Sequence, residues 1–247
     1  MDWEAPAVVL DLRPYGEGDA VATVLTAEHG AHRGLARGAQ SRARSAVWQV
    51  GNLVTARWIA RLAEQLGSLT AELVHPAAAL AMDDPLALAI LSSACAVAES
   101  ALTEREAHLR VFDGLVRLIA HLQQGQAALT DYVRWELLLL ADLGYGLDLS
   151  ACAVTGATDG LAFVSPRTGR AVSEAGAGLW RERLLPLPPF LAGDGDSAAP
   201  PDWMAGLRLA EHFLERDAFG HLHRPVPLAR LMLRERVERM ATNTGDA

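Results

Sequence analysis

The apolar residues of this chain change period once, at His75-Pro76, and that change limits the fold to an extended module followed by a helical one. Before it, runs rich in strand formers alternate with glycine-marked turns: Ala7 to Leu12, Val21 to Thr26, Ala31 to Arg37, Val47 to Ile59 and Leu66 to Val74. Gly51-Asn52, inside the fourth run, reads as a bulge or tight turn. Five short strands in about 70 residues suit a small closed barrel of the OB type. Behind Pro76, the segments Pro85 to Leu102, Glu106 to Gln124 and Thr130 to Leu143 carry apolar residues at helical spacing. Cys152 to Ser173 returns to turns and short extended pieces. Glu174 to Leu185, Trp203 to Asp217 and Leu228 to Met240 read as helices, with a Pro-, Gly- and Asp-rich loop from Leu187 to Pro201. The predicted fold class is α+β: an N-terminal five-stranded OB-type β-barrel over residues 1–80, then a mainly α-helical domain over 81–247.

Composition narrows the class further. At 51% hydrophobic and a net charge of −8, the 247 residues have ample material for a packed core, which excludes disorder for most of the chain. The longest uncharged run, Pro85 to Ala98, is 14 residues. A membrane-spanning helix needs about 20. No basic then apolar leader precedes Asp2 and Glu4, and Cys95 and Cys152 cannot form a disulfide framework, so a reducing cytoplasm is the expected compartment.

All 22 basic residues are arginine. Without lysine there is no Walker A phosphate loop and no Schiff-base chemistry. No G-x-S-x-G, H-E-x-x-H, C-x-x-C or glycine-rich dinucleotide turn occurs, so an enzyme is not predicted. Glu211, His212, His221 and His223 cluster in sequence and have the chemistry of metal ligands, but they straddle a helix end, and no metal site is predicted there.

The charge is unevenly placed. Between Glu28 and Glu64 there is no carboxylate, while Arg33, Arg37, Arg42, Arg44, Arg57 and Arg61 fall in that window and make it +6. The other 16 arginines face 30 carboxylates, a balance of −14. A single-sign island on an acidic protein attracts polyanions. The alternative is that these arginines solvate a strand-rich surface and pair with acids from elsewhere. Trp48 and Trp58 lie in the same window. They would stack bases in a single-strand groove or fill the barrel core, and at least one is expected in the core.

The order of several short motifs resembles the RecO family of bacterial recombination mediators. They are RPYGEGD at 13–19, LTAEHG at 25–30, GLARGA at 34–39, LADLGY at 140–145 running into LDLSAC at 147–152, then Ser165-Pro166 and Gly169. The resemblance spans roughly residues 5 to 240. It implies an OB-fold followed by a helical domain, and a DNA repair role in which single- and double-stranded DNA are bound and complementary strands annealed. RecA would be loaded together with RecR on DNA coated by single-stranded DNA-binding protein, whose C-terminal tail is contacted. A cytoplasmic, nucleoid-associated location follows.

Many such proteins carry a four-cysteine zinc site. The matching positions here are Cys152, Thr155, Ser173 and Gly176, in a degenerate zinc-ribbon-like insertion at about 150–175, so no metal or cofactor is expected. The six window arginines are the expected DNA contacts. Arg110, Arg117, Arg224 and Arg230 are candidates for the acidic partner tail. An OB-fold RNA-binding factor and a protein-interaction scaffold are the competing readings.

Overall fold

β1 (Asp2–Tyr15) is long enough to serve two partners, and this closes the barrel. Its first half, Asp2 to Val8, pairs antiparallel with β4 (Leu53–Ile59); its second half, Ala7 to Tyr15, pairs with β2 (Asp19–Thr26). β3 (Gly30–Ala36) continues from β2 and meets β5 (Ser68–His75) in parallel at Leu35 and Ser68, and β5 returns to β4. The order β1-β2-β3-β5-β4 is a closed five-stranded barrel of the OB type, as the sequence predicts. The computed structural model describes residues 1–62, 65–193 and 198–244. They form two units, residues 1–125 and 126–247.

Period-two alternation fills the barrel. Ala7, Val9, Ala22, Val24, Val54, Ala56, Trp58 and Leu69 point inward and form one core with Trp48. Both tryptophans are therefore core residues. Trp58 also donates its indole N–H to the carbonyls of Leu66 and Arg33, at 3.0 and 3.2 Å, so it has no free face for a base.

The fourth strand is shorter than expected. Residues 47–52 are turns, and the strand begins at Leu53. Gly51 takes φ +93°, and Asn52 is fully buried. Asn52 donates from Nδ2 to the Ala46 carbonyl at 2.8 Å and accepts at Oδ1 from the Ala78 amide at 3.1 Å. A side chain that binds turn carbonyls so well competes with a ladder.

After the barrel come α1 (Ala77–Ala81), α2 (Pro85–Ala101) and α3 (Leu109–His121), all in the first unit. Asp84 caps α2, accepting from the amides of Leu86 and Ala87, with Pro85 at the first helical position. α3 starts three residues later than Glu106: Glu104 bridges Ala31 at the end of β3, and Arg105 then turns at φ +66°. Gly30, at φ +64°, admits that segment: a Cβ there would sit 1.9 Å from the Glu106 carbonyl oxygen.

The second unit holds α4 (Ala127–Asp142), a small sheet of β6 (Leu161–Val164), β7 (Ala171–Ser173) and β8 (Leu185–Pro186), then α5 (Pro200–Phe213) and α6 (Leu228–Thr244). The helix expected from Glu174 to Leu185 is instead one α-turn, Glu174–Ala177, and a 3-10 turn, Gly178–Arg183. Gly178, at φ +47°, breaks it. Among the described residues no helix is long and apolar enough to cross a membrane.

Candidate nucleic-acid interface

β4 alternates strictly: Val54, Ala56 and Trp58 are buried while Thr55 and Arg57 face out. Arg57 is flanked across the ladder by Glu4 of β1 and Thr70 of β5. The loop after β3 is anchored at its start. The Gly38 amide donates to the Asp19 carboxylate at 2.7 Å, and Gln40 donates to the Asp19 carbonyl at 2.8 Å. The loop then turns back, and Arg44 donates to the Arg37 carbonyl at 2.7 Å. The result is a concavity of about 330 Å³ on the outside of the barrel, lined by Arg37, Arg44 and Arg57 together with Trp48 and the carboxylates Glu4 and Glu72.

The six window arginines therefore divide. Arg37, Arg44 and Arg57 share one concavity; Arg42 is exposed in the same loop, and Arg61 is exposed just past β4. Arg33 is engaged elsewhere: its guanidinium lies 3.2 Å from Glu99 of α2, which also holds Arg13 at 3.0 Å. Arg57 stands 3.7 Å from Asp2. Among the described residues, Arg37, Arg42, Arg44 and Arg61 have no carboxylate in ion-pair range.

Glu4, Glu72 and Glu99 are the residues that sequence reasoning missed. A β1 starting at Asp2 would have put Glu4 beside Arg57. Glu99 is 66 residues from Arg33 and left no local signal.

Beside the barrel floor, His32 is buried between Trp3 and Trp58, with ring centroids 5.2 and 4.7 Å away. Neither ring nitrogen makes a hydrogen bond. Burial holds the imidazole below its ordinary value, against a weaker upward pull from the His29 backbone.

In the second unit, the four positions that the resemblance matches to zinc ligands lie close together. Cys152 Sγ accepts from the Ser173 amide at 3.2 Å, the Ser173 hydroxyl at 3.3 Å and the Thr155 amide at 3.4 Å. The Ser173 hydroxyl in turn accepts from the Gly176 amide at 3.1 Å. Burial works to raise the Cys152 thiol pKa, but these donors outweigh it and bring the thiol down to about 6. One sulfur, two neutral hydroxyls and a glycine do not make a tetrahedral zinc donor set. The residues present do not fit the metal. The other candidate ligands are dispersed. Glu211 pairs with Arg230 and Arg234, His212 binds the Pro166 carbonyl, His221 stacks on Tyr145, and His223 binds the Gly220 carbonyl. Among the described residues no three His, Cys, Asp or Glu side chains gather.

Of the partner-tail candidates, Arg110 and Arg117 are exposed on α3, and Arg224 is exposed before α6. Arg230 is a correction. It is wholly buried, with its fork on Glu136 at 2.5 and 3.0 Å and a further bond to the Leu207 carbonyl at 2.8 Å. Tyr132 donates to the same Glu136 carboxylate at 2.7 Å. An arginine buried in the core and paired there with Glu136 and Glu211 cannot meet a partner's carboxylate.

A closed OB-type barrel with an arginine-lined outer concavity, followed in the chain by a helical region, defines a class of OB-fold proteins. The comparisons make the class specific. The family model described as Recombination protein O N terminal matches residues 1–77, and that described as Recombination protein O C terminal matches residues 82–225. The DNA repair protein RecO of Granulibacter bethesdensis is 56% identical over 239 residues, covering 96% of each chain. That of Acidiphilium cryptum is 54% identical over 250 residues, covering the whole of both chains. The chain belongs to the RecO family of DNA repair proteins.

Proposed function

We propose that this chain is a recombination mediator that binds single- and double-stranded DNA and anneals complementary strands. With RecR it assists RecA loading on DNA covered by single-stranded DNA-binding protein, whose C-terminal tail it contacts, and it works at the nucleoid. The observation that carries this reading is the concavity that gathers Arg37, Arg44 and Arg57 on a RecO-family barrel, with Arg42, which has no carboxylate in ion-pair range among the described residues, in the adjoining loop.

Guanidinium forks match phosphate oxygens, and such contacts are independent of sequence. Trp48 and Trp58 are committed to the core, so they hold no bases. Bases left unstacked by the protein keep their pairing edges free, while arginine lowers the repulsion between two phosphate chains. That combination favours annealing and needs no chemical turnover. The tail contact is assigned to exposed arginines, with Arg110 and Arg117 on α3 and Arg224 as candidates.

Fluorescence anisotropy with matched DNA and RNA oligomers tests the reading. DNA should bind without sequence preference, and a strand-annealing assay should show acceleration that persists on DNA coated with single-strand-binding protein. Tight binding only to RNA, through contacts to the 2′-hydroxyl, would move the chain to RNA metabolism. No affinity at low salt would leave a protein scaffold.

A further inference from the structure

The arginine concavity holds two carboxylates that a phosphate-binding surface does not need. The register of the barrel places them around Arg57. Glu4 of β1 is its direct cross-strand neighbour, and Glu72 of β5 lies opposite Thr55, the next outward position along β4. Residues directly opposite across a ladder have Cβ atoms about 4.5–5.5 Å apart, and diagonal neighbours stand about 7–8 Å away. Both glutamates are exposed, and both line the same concavity as Arg37, Arg44 and Arg57.

Neither glutamate is spent on an arginine. Arg57 takes its carboxylate contact from Asp2, at 3.7 Å, and Arg44 turns to the Arg37 carbonyl. Among the described residues, Glu4 and Glu72 have no cation within ion-pair range. Three guanidiniums and two carboxylates leave the concavity with one excess positive charge. Carboxylates set against a polyanion weaken its binding, so these two groups act on which polyanion is held rather than on holding as such.

A single strand and a duplex differ in the charge they bring. A duplex carries one phosphate charge per about 1.7 Å of axis, against about 3.4 Å for either strand alone. Once one backbone sits on the arginines, the other lies across a minor groove about 6 Å wide, within the screening length of about 10 Å at about 0.1 M salt. The duplex is also stiff over about 150 base pairs and cannot turn its second backbone away, whereas a single strand swings its remaining phosphates clear of the carboxylates.

We propose that Glu4 and Glu72 set the preference of this concavity for single strands over duplex, and so release the paired product of annealing. The proposal rests on the DNA-binding reading above and names two specificity-determining residues within it. Thr55 and Thr70 line the same wall and are neutral, so the discrimination falls on the two glutamates.

The test uses the full chain with an oligothymidylate and a blunt duplex of equal length, read by fluorescence anisotropy at about 0.1 M salt. Glu4→Gln with Glu72→Gln should tighten duplex binding about tenfold and single-strand binding only about threefold, and annealing by substoichiometric protein should slow as the duplex retains it. Thr55→Glu, which adds a third carboxylate on the strand between the first two, should move the ratio of the two affinities about threefold the other way. Glu182→Gln with Glu235→Gln makes the same change of charge at exposed positions of the second unit and should leave that ratio unmoved. Equal tightening of both DNAs by the glutamate pair, or an unmoved ratio in both concavity variants, overturns the proposal and leaves the DNA-binding reading standing. So does a second-unit control that shifts the ratio as far as the glutamate pair does. A wild-type chain with no affinity for either DNA overturns the DNA-binding reading and the proposal with it.

Discussion

Replacing Arg37, Arg42 and Arg44 together by alanine removes three of the four window arginines that lack a carboxylate partner among the described residues, leaving Arg61. Each phosphate neutralised on a single strand releases condensed counterions, so log affinity falls with log salt at about −0.7 per contact. If all six arginines engaged DNA the slope would be about −4. Arg33 and Arg57 already face Glu99 and Asp2, so four free cations predict a slope of about −2.8. The triple variant should show about −0.7. Raising salt from about 50 to about 200 mM should then cost the wild type about 50-fold in affinity and the variant only about threefold. Anisotropy with an oligothymidylate across a salt series reads both slopes. A variant with the wild-type slope would refute the placement of the interface. A wild-type slope of about −4 would show that the Glu99 and Asp2 pairs open on binding, and would refute the division of the six arginines into free and engaged.

Two further outcomes test the interior. Glu136→Gln strands the buried Arg230 and should cost about 3–5 kcal/mol in urea unfolding, whereas Arg230→Met combined with Glu136→Leu should recover most of it; two additive losses would show that the pair is not coupled. His32 stays neutral in the folded state at a pH where the unfolded chain takes up a proton, so the unfolded state binds more protons and stability should fall as pH drops below about 6.5. His32→Phe should flatten that fall at little cost at neutral pH, since neither ring nitrogen has a partner to lose, and an undiminished slope in the variant would place the titration elsewhere.

The barrel was legible because period-two alternation and glycine turns are local signals. What blurred it was equally local: Gly51-Asn52 reads as an irregularity inside a strand running from Val47, whereas the Asn52 amide binds the Ala46 carbonyl and the strand begins only at Leu53. The convergence of Arg37 with Arg57 depends on barrel closure, which the alternation of a single strand does not contain. Arg230 could have been placed. It stands in helical phase with the buried Leu233 and Val237, and Glu136 stands four residues after buried Tyr132, so each charge occupies an apolar-face position and implies the other. The window as a charge count was sound, but Glu99 entered from a helix that sequence separation kept out of view.

Cys152, Thr155, Ser173 and Gly176 lie together although they do not make a zinc donor set. Thr155, Ser173 and Gly176 remain gathered on Cys152 because a sulfur that accepts three hydrogen bonds pins the same two turns that a metal would. Gly176 has room for a side chain only if Cys152 shifts, since a Cβ there would lie 2.9 Å from Sγ, the end of a rotatable side chain. Thr155→Cys, Ser173→Cys and Gly176→Cys together should therefore create tetrahedral thiolate coordination, with about one zinc bound per chain and a thermal midpoint that drops on chelation. The wild-type midpoint should ignore the chelator, because one thiol and two hydroxyls offer too few deprotonated ligands to hold the ion. Cobalt substitution gives a readout separate from stability, as a thiolate charge-transfer band in the triple variant. Failure of the triple variant to take up metal would mean that the four positions are neighbours only through the hydrogen bonds to Cys152, and that their gathering is no remnant of a coordination sphere.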